Sequence, residues 1–145
     1  MSVRTLLDDR IGMKYGAGGR AMRALIEQVC LKGLGHPEVD GIGLAAMDDG
    51  AAIRVGNQWL VITTDSHVVH PIFFPGGDIG RLSVSGTVND LAMMGATEPL
   101  GLSCGIVLEE GFSIAQLRQI NQSMREACEE SGASDTKQYE YLWVV

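Results

Sequence analysis

The chain has 145 residues, of which 46% are hydrophobic and 20% charged, an ordinary composition for one globular domain with a sizeable core. Its net charge of −7 excludes non-specific binding to nucleic acids or to anionic membranes, because both need a basic surface. The sequence shows no run of 18 apolar residues, no signal-peptide pattern and no C-x-x-C pair among its three cysteines, so we expect a cytoplasmic protein with reduced thiols.

The predicted elements begin with a loose leader over residues 1–14. A glycine loop over residues 15–19 then runs into a helix. The apolar residues of this helix recur at spacings of three and four and therefore share one face: Met22, Leu25, Ile26, Val29 and Cys30. Gly33 and Gly35 are expected to end the helix, and residues 34–43 are predicted to form a loop.

A β-hairpin is predicted next, from two runs of strand-forming residues around a short turn. The runs are residues 51–55 and 58–63, and the turn is Gly56-Asn57. The second run is apolar on both faces, which is typical of a central strand. A turn-rich loop follows over residues 71–77.

The longest predicted helix runs from a cap at Asp78 to about Met94, with Gly95 as its C-terminal stop. This helix is apolar nearly all round, except for one stripe of small and polar residues. The stripe residues are three or four positions apart and so share a face: Ser83, Gly86, Thr87 and Asp90. A carboxylate on such a stripe has room for another group beside it.

The last predicted elements are a strand and an amphipathic helix. Apolar side chains alternate along residues 100–108, as in a strand. Ser113 and Gln116 form a capping box for a helix that ends near Gly132. The order of elements predicts the α+β class, with α/β layers in which helices cover one face of a sheet.

Four acidic positions lie at the edges of these elements: Asp48-Asp49, Asp65, Asp90 and Asp135. Aspartates that converge at strand ends could supply the oxygen ligands that Mg²⁺ prefers, together with phosphate oxygens. The alternative is that they are capping and turn residues, which aspartate also favours. The spacing of these residues alone leaves both interpretations open.

The glycine loop, Gly16 to Gly19, could present backbone N–H groups to a phosphate, with Lys14 and Arg20 adding positive charge. It is neither a Walker A motif nor a Rossmann fingerprint, and a flexible turn is the alternative interpretation. His67 and His70 follow Asp65 closely but match no metal-ligand spacing. They are interpreted as loop or surface histidines, with a binding or catalytic role as the alternative.

Several segments resemble the PurM-like, AIR synthase-related superfamily of ATP-binding proteins. Residues 49–53 resemble its acidic-Ala-Ala-Val element with Gly50 as an interruption, and residues 63–66 and Asn89-Asp90 are similar to its next two motifs. Within the superfamily, three longer segments look specifically like the N-terminal half of the hydrogenase maturation factors called HypE: residues 15–22, 65–80 and 102–111. The likeness extends from about residue 13 to residue 137.

The resemblance implies a PurM-like N-terminal domain over residues 15–137, with a mixed or antiparallel sheet that is covered by helices on one face and dimerises through the sheet. It also implies ATP and Mg²⁺ as cofactors. The metal ligands it implies are Asp49, Asp65 and Asp90. The nucleotide contacts it implies are Gly16, Gly18, Gly19, Asn89, Asp90, Asp135, Thr136 and Lys137. No catalytic residue is assigned.

The activity implied by the resemblance is ATP-dependent dehydration of a protein-bound thiocarbamate to a thiocyanate. In that family the carbamoyl group comes from HypF to a C-terminal cysteine, and the cyanide passes to iron on the HypC–HypD complex during [NiFe] hydrogenase assembly. ATP phosphorylates the carbamoyl oxygen, and Mg²⁺ neutralises the triphosphate. HypF and HypC–HypD are therefore the implied partners besides a second copy of the chain.

The sequence departs from the family pattern at its C-terminal end. The family's short apolar strand before Asp135-Thr136-Lys137 is missing, and residues 138–145 form a divergent apolar tail. That tail could replace the strand, or it could mark a disrupted reading frame. The family's second domain and acceptor cysteine are also absent, so we expect the chain alone to bind ATP at best and to be inactive as a dehydratase.

Two further functional hypotheses remain open at this point. The chain could be a non-catalytic module that dimerises or pairs with full-length HypE or HypF. It could also belong to another enzyme of the superfamily. A selenophosphate synthetase would want a reactive cysteine in the glycine loop, and residues 16–19 have none. A thiamine monophosphate kinase would not be expected to carry the segment at residues 73–77.

Overall fold

The N-terminal part of the chain is mostly helical. The computed structural model describes residues 7–34, 39–132 and 140–144 of the chain. A short helix α1 (Met13–Gly16) is followed by α2 (Gly19–Leu25), a π-helical turn (Ile26–Cys30) and α3 (Leu31–Leu34). The last three are continuous, because the residues that join them keep right-handed helical dihedrals.

The π-helical turn changes which side of the predicted helix is buried. Ala24 and Leu31 are buried, whereas Val29 and Cys30, which were predicted on the apolar face, are exposed. A π turn holds more residues than an α turn and displaces the side chains that lie in it. The position of the helix was therefore predicted correctly, but the face that its second half buries was not.

The hairpin forms as predicted from β2 (Ala51–Val55) and β3 (Gln58–Ile62), paired antiparallel from Ala51 opposite Ile62 to Val55 opposite Gln58. Gly56 takes a left-handed φ of 62° in the turn, which glycine adopts without strain. An additional strand, β1 (Gly41–Ile42), pairs with β2 inside the region that was predicted to be a loop. Backbone pairing with β2 thus orders a segment that has no strand periodicity of its own.

The strand order is β1-β2-β3, so the prediction that β3 is a central strand is wrong. In the part of the chain that the structure describes, β2 is central and the outer edge of β3 is unpaired. The apolar side chains that suggested burial on both faces are exposed instead: Trp59, Leu60 and Ile62. An apolar edge strand of this kind is normally paired or covered in a stable protein.

Helices α4 (Ile79–Met93) and α5 (Ile114–Glu130) pack together and form the main core. Asp78 caps α4 by accepting a hydrogen bond from the Arg81 backbone N–H at 3.0 Å, and Ser113 caps α5 in the same way through Gln116, as predicted. The buried core residues come from both helices: Val84, Ile120, Met124, Ala127 and Cys128.

Smaller strands complete the fold. The predicted turn-rich loop contains a tight hairpin of β4 (Phe73–Phe74) and β5 (Gly77–Asp78). The predicted strand at residues 100–108 is present as the shorter β6 (Ser103–Val107), with Cys104 and Ile106 half-buried as the alternation indicates. In the tail, β7 (Glu140–Val144) pairs in parallel with β6. Residues 140–144 of the tail thus form a strand, and both interpretations of the tail remain predictions.

The combination of packed helices and small sheets confirms the predicted α+β class. The described strands form three separate sheets rather than one, because β1–β3, β4–β5 and β6–β7 share no ladder. Among the described residues, no helix is both long and apolar enough to cross a membrane.

Candidate functional site

The three predicted metal-binding aspartates lie around one end of the hairpin. Asp49 precedes β2, and Asp65 follows β3. Because Ala51 at the start of β2 pairs with Ile62 at the end of β3, the two aspartates leave the hairpin at the same end. Asp90 lies in the last turns of α4, and it is connected to this end by Thr63.

Thr63 is the residue that joins the three segments. Its hydroxyl lies 2.7 Å from the backbone carbonyl oxygen of Asp49 and 3.4 Å from the Oδ2 atom of Asp90. A hydroxyl has one proton, and the shorter distance is the ordinary length for an O–H···O bond. Thr63 therefore donates to the Asp49 carbonyl, while the Asp90 carboxylate stays next to it and keeps its oxygens available.

Gly50 allows the segment before β2 to pack closely against its neighbours. A Cβ atom at this position would lie 2.8 Å from the Ile62 carbonyl oxygen and 3.1 Å from the Cγ atom of Met94. The first distance is shorter than any real Cβ contact, and the atom it meets is backbone. The glycine that interrupts the acidic-Ala-Ala-Val element is thus required by the approach of β3 and the end of α4.

Each oxygen of the Asp65 carboxylate has a polar neighbour, one through a hydrogen bond and one through a close contact. Oδ1 accepts from the Ser66 backbone N–H at 2.7 Å, and Oδ2 lies 3.1 Å from the Nε2 atom of His67. The Asp65 side chain is 42% exposed and the His67 side chain 14% exposed, so the carboxylate faces solvent from a more buried partner. Each oxygen keeps a second lone pair for an external ligand.

The arrangement suits an open magnesium site rather than a closed one. Within the described residues, no group of three or more His, Cys, Asp or Glu side chains is close enough to hold a metal by itself. Mg²⁺ usually binds through one or two carboxylates, several waters and the phosphates of its substrate. The oriented Asp65 carboxylate and the nearby Asp90 carboxylate fit that pattern, with the metal completed by phosphate and water.

A cavity of about 700 Å³ reaches Thr63 and Asp65, whereas Asp49 and Asp90 do not line it. It is lined by β3 and its continuation to Asp65, by Thr87 and Leu91 of α4, and by the segment before β6. Its volume lies within the range of small-molecule sites, roughly 300–1,000 Å³. The stripe on α4 that was predicted to have room beside it therefore faces a hollow at Thr87, next to Asp90.

The other predicted nucleotide contacts are less closely connected with this end of the hairpin. Asn89 is exposed and, as the helical neighbour of Asp90, projects about 100° away from it. Gly16 belongs to α1, whereas Gly18 caps α2 and Gly19 begins it, with left-handed φ values of 75° and 66° and open space around both. Among the described residues, the structure shows no hydrogen bond from this loop to the aspartates. Asp135, Thr136 and Lys137 lie outside the described residues.

Two residues of this site were given no specific role by the sequence: Thr63 and Gly86. Thr63 stands in a quoted motif, but a threonine at a strand end has many ordinary explanations. Gly86 was assigned to the stripe on α4, and the structure shows that an added Cβ there would collide with the His67 ring. His67 and His70 differ in the same way, since only His67 is tucked against the helix.

Comparison with known proteins identifies relatives of the chain. The sequence profile described as AIR synthase related protein, N-terminal domain, matches residues 47–135. A putative hydrogenase expression/formation protein of Methanocaldococcus jannaschii is 51% identical over 123 residues, which cover 84% of this chain and 36% of that protein. Carbamoyl dehydratase HypE of Azotobacter vinelandii is 43% identical over 145 residues, covering 97% of this chain and 41% of the relative.

A more distant relative shows the same coverage. Carbamoyl dehydratase HypE of Escherichia coli K12 is 38% identical over 133 residues, covering 89% of this chain and 39% of that protein. The chain thus spans about two fifths of the length of the curated relatives that it matches.

Proposed function

The chain belongs to the AIR synthase related proteins, of which it carries the N-terminal domain, and from this membership we propose that it is the Mg·ATP-binding part of a HypE-type carbamoyl dehydratase. Its relatives are named as carbamoyl dehydratases and as hydrogenase expression/formation proteins, which supports a place in hydrogenase maturation. We further propose that it works in the cytoplasm.

The observation that carries this proposal is the junction at Thr63. One hydroxyl lies within reach of the Asp49 carbonyl and the Asp90 carboxylate, and Asp65 follows two residues later with one oxygen hydrogen-bonded to Ser66 and the other next to His67. We propose that Asp65 and Asp90 bind Mg²⁺ from either side, with Asp49 beside them. A bound Mg²⁺ would neutralise the triphosphate and make the terminal phosphoryl group transferable.

The remaining nucleotide contacts are proposed from the family pattern. Gly16, Gly18 and Gly19 would close over the phosphates with their backbone N–H groups, and Asn89 would contact the nucleotide beside Asp90. Lys137 would add a positive charge to the phosphate site, and its neighbours Asp135 and Thr136 would contact the nucleotide with it. Backbone donors and one lysine suffice for a chain whose net charge is −7, because phosphate recognition is local.

For the whole protein we propose the complete reaction. ATP would transfer its terminal phosphoryl group to the oxygen of an S-carbamoyl cysteine, with release of ADP and of one proton from the nitrogen. Elimination of inorganic phosphate, which takes the second N–H proton, would then leave a thiocyanate. HypF would supply the carbamoyl group and the HypC–HypD complex would accept the cyanide. The part of the reaction that falls to the described residues is to bind and orient Mg·ATP.

A homodimer is proposed as the assembled form. Among the described strands β3 has an unpaired edge, and its exposed Trp59, Leu60 and Ile62 would be covered by a second copy of the chain. Monomeric proteins rarely leave an apolar strand edge open, because it templates aggregation. This surface also supports the alternative function, a module that pairs with another HypE or HypF chain.

Isothermal titration calorimetry with ATP in the presence and absence of Mg²⁺ tests the proposed function. We expect the wild-type chain to bind ATP only with Mg²⁺, and Asp90→Asn to weaken that binding at least about tenfold, because the substitution removes a metal-ligating charge. Glu129→Gln removes the same charge from the exposed end of α5 and should leave binding unchanged. Magnesium-independent binding, or equal binding by Asp90→Asn, would contradict the proposal.

A further inference from the structure

His67 occupies a defined place between the segment that carries Asp65 and the helix that carries Asp90. Its side chain is only 14% exposed, although it comes from a loop without helix or strand structure. Its Nε2 atom lies 3.1 Å from the Asp65 Oδ2 atom. A histidine that served only to fill a surface loop would turn its ring to solvent, as His70 in the same segment is exposed.

The same Nε2 edge of the His67 ring also rests against the backbone of α4 at Gly86. A Cβ atom added at Gly86 would collide with the Nε2 atom and would lie 3.2 Å from the Cε1 atom of the ring. Gly86 has an ordinary helical φ, so nothing in its own backbone conformation calls for glycine. Glycine in the middle of a helix is unfavourable relative to alanine. Its presence here is explained by the ring that it accommodates.

This contact fixes the position of Asp65 relative to Asp90. At one end of the segment the Thr63 hydroxyl lies 3.4 Å from the Asp90 carboxylate, and at the other end the His67 ring rests against Gly86, four residues earlier on the same helix face. Asp65 lies between these two attachments. The hydroxyls of Ser83 and Thr87 on that face donate back to carbonyls of the helix itself, to Gly80 and Ser83 respectively. The stripe thus carries its two inter-segment contacts at Gly86 and Asp90.

We propose that His67 is a positioning residue for the divalent cation, which holds the Asp65 carboxylate in its metal-binding orientation through a contact with α4 that requires glycine at position 86. The inference rests on the proposed function and deepens it. Carboxylates that bind metals are commonly held by a hydrogen-bonded partner behind them, and loss of that partner weakens metal binding about 10- to 100-fold. His67 supplies such a partner, and Gly86 gives it the room.

The test is the Mg²⁺ dependence of ATP binding, measured by titrating Mg²⁺ at a fixed ATP concentration. His67→Ala should raise the Mg²⁺ concentration for half-maximal binding at least about tenfold, because Asp65 loses the contact that orients its Oδ2 atom. His67→Gln keeps an N–H donor at about the same distance from the backbone and should restore most of the affinity. His70→Ala, in the same segment but exposed, should behave as the wild type.

Gly86→Ala provides an independent variant, because it displaces the ring without removing it. It should raise the required Mg²⁺ concentration as His67→Ala does, and the double variant should be no worse than either single one, since both remove the same contact. A purely structural role would lower the melting temperature of His67→Ala and leave its Mg²⁺ dependence unchanged.

The outcomes separate this inference from the proposed function. If the wild-type chain binds no Mg·ATP, both are overturned. If the wild type binds Mg·ATP and folded His67→Ala requires no more Mg²⁺ than the wild type, the role of His67 alone is overturned. Failure of folded His67→Gln to recover affinity would equally overturn it, and additive effects of His67→Ala and Gly86→Ala would show that the two residues act separately and overturn the shared contact.

Discussion

Individual glycines in α4 show where other parts of the chain come closest to this helix. A Cβ atom at Gly80 would lie 2.5 Å from the Ile120 carbonyl oxygen of α5 and 2.9 Å from the Cγ atom of Met124. Gly80 is itself buried at the first turn of α4, directly after the Asp78 cap. The distance between the two core helices is thus set by the absence of a side chain at one position.

Gly80→Ala is expected to destabilise the protein. Alanine gains up to about 1 kcal/mol in helix propensity over glycine. Overpacking a core contact costs about 1–3 kcal/mol, and a rigid backbone oxygen at 2.5 Å cannot move aside, so the loss should prevail. Chemical denaturation followed by circular dichroism measures the free energy of unfolding. Gly33→Ala in α3, where an added Cβ meets nothing within 4 Å, is the matched control and should be neutral or stabilising. An unchanged or more stable Gly80→Ala would disprove the tight contact.

Single residues could be predicted from the sequence where local chemistry is sufficient. Asp78 and Ser113 were predicted as caps, because capping depends on a hydrogen bond within four residues. Thr63 contacts residues that lie 14 and 27 positions away in the chain, whereas the contact at Gly86 depends on a loop that folds back onto the helix. No local pattern records such contacts. The sequence could therefore indicate that aspartates lie at the ends of helices and strands, but not which contacts connect these positions.

Among the elements, the β2–β3 hairpin shows most clearly where periodicity stops being informative. The turn at Gly56 and the pairing register followed from local residue types. The position of β3 in the sheet did not, because an apolar strand looks the same whether it is covered by its own chain or by another one. The side chains of Trp59 and Leu60 are exposed in the structure rather than interior.

Trp59→Lys is expected to disrupt the homodimer that we propose. Trp59 is 57% exposed on the edge strand, and an edge lysine opposes strand pairing between copies. Sedimentation velocity over a range of concentrations should show a dimer for the wild type and a monomer for the variant. Met93→Lys, at a more exposed position near the end of α4, should remain dimeric. A wild type that is monomeric throughout, or dimeric Trp59→Lys, would contradict this interface.

On the scale of the whole molecule, the fold brings together parts of the chain that the sequence keeps apart. The α+β class and all of the longer helices could be predicted from periodicity and caps. The short strands β1, β4 and β5 could not, because two-residue strands have no period and form through their partners. The candidate site could not be predicted either, because it is defined by a junction between the residues before β2, those after β3, and Asp90 in α4.

The central claim is that this junction binds the metal–nucleotide complex. The most direct measurement is an NMR experiment in which Mn²⁺ replaces Mg²⁺ and its paramagnetism broadens the amide signals of nearby residues. With Mn²⁺ and ATP together, we expect signals of residues 48–50, 63–67 and 86–90 to broaden, and those of the α5 face at Arg118 and Arg125 to stay sharp. Broadening centred away from Asp65 and Asp90, or none with ATP present, would contradict the account.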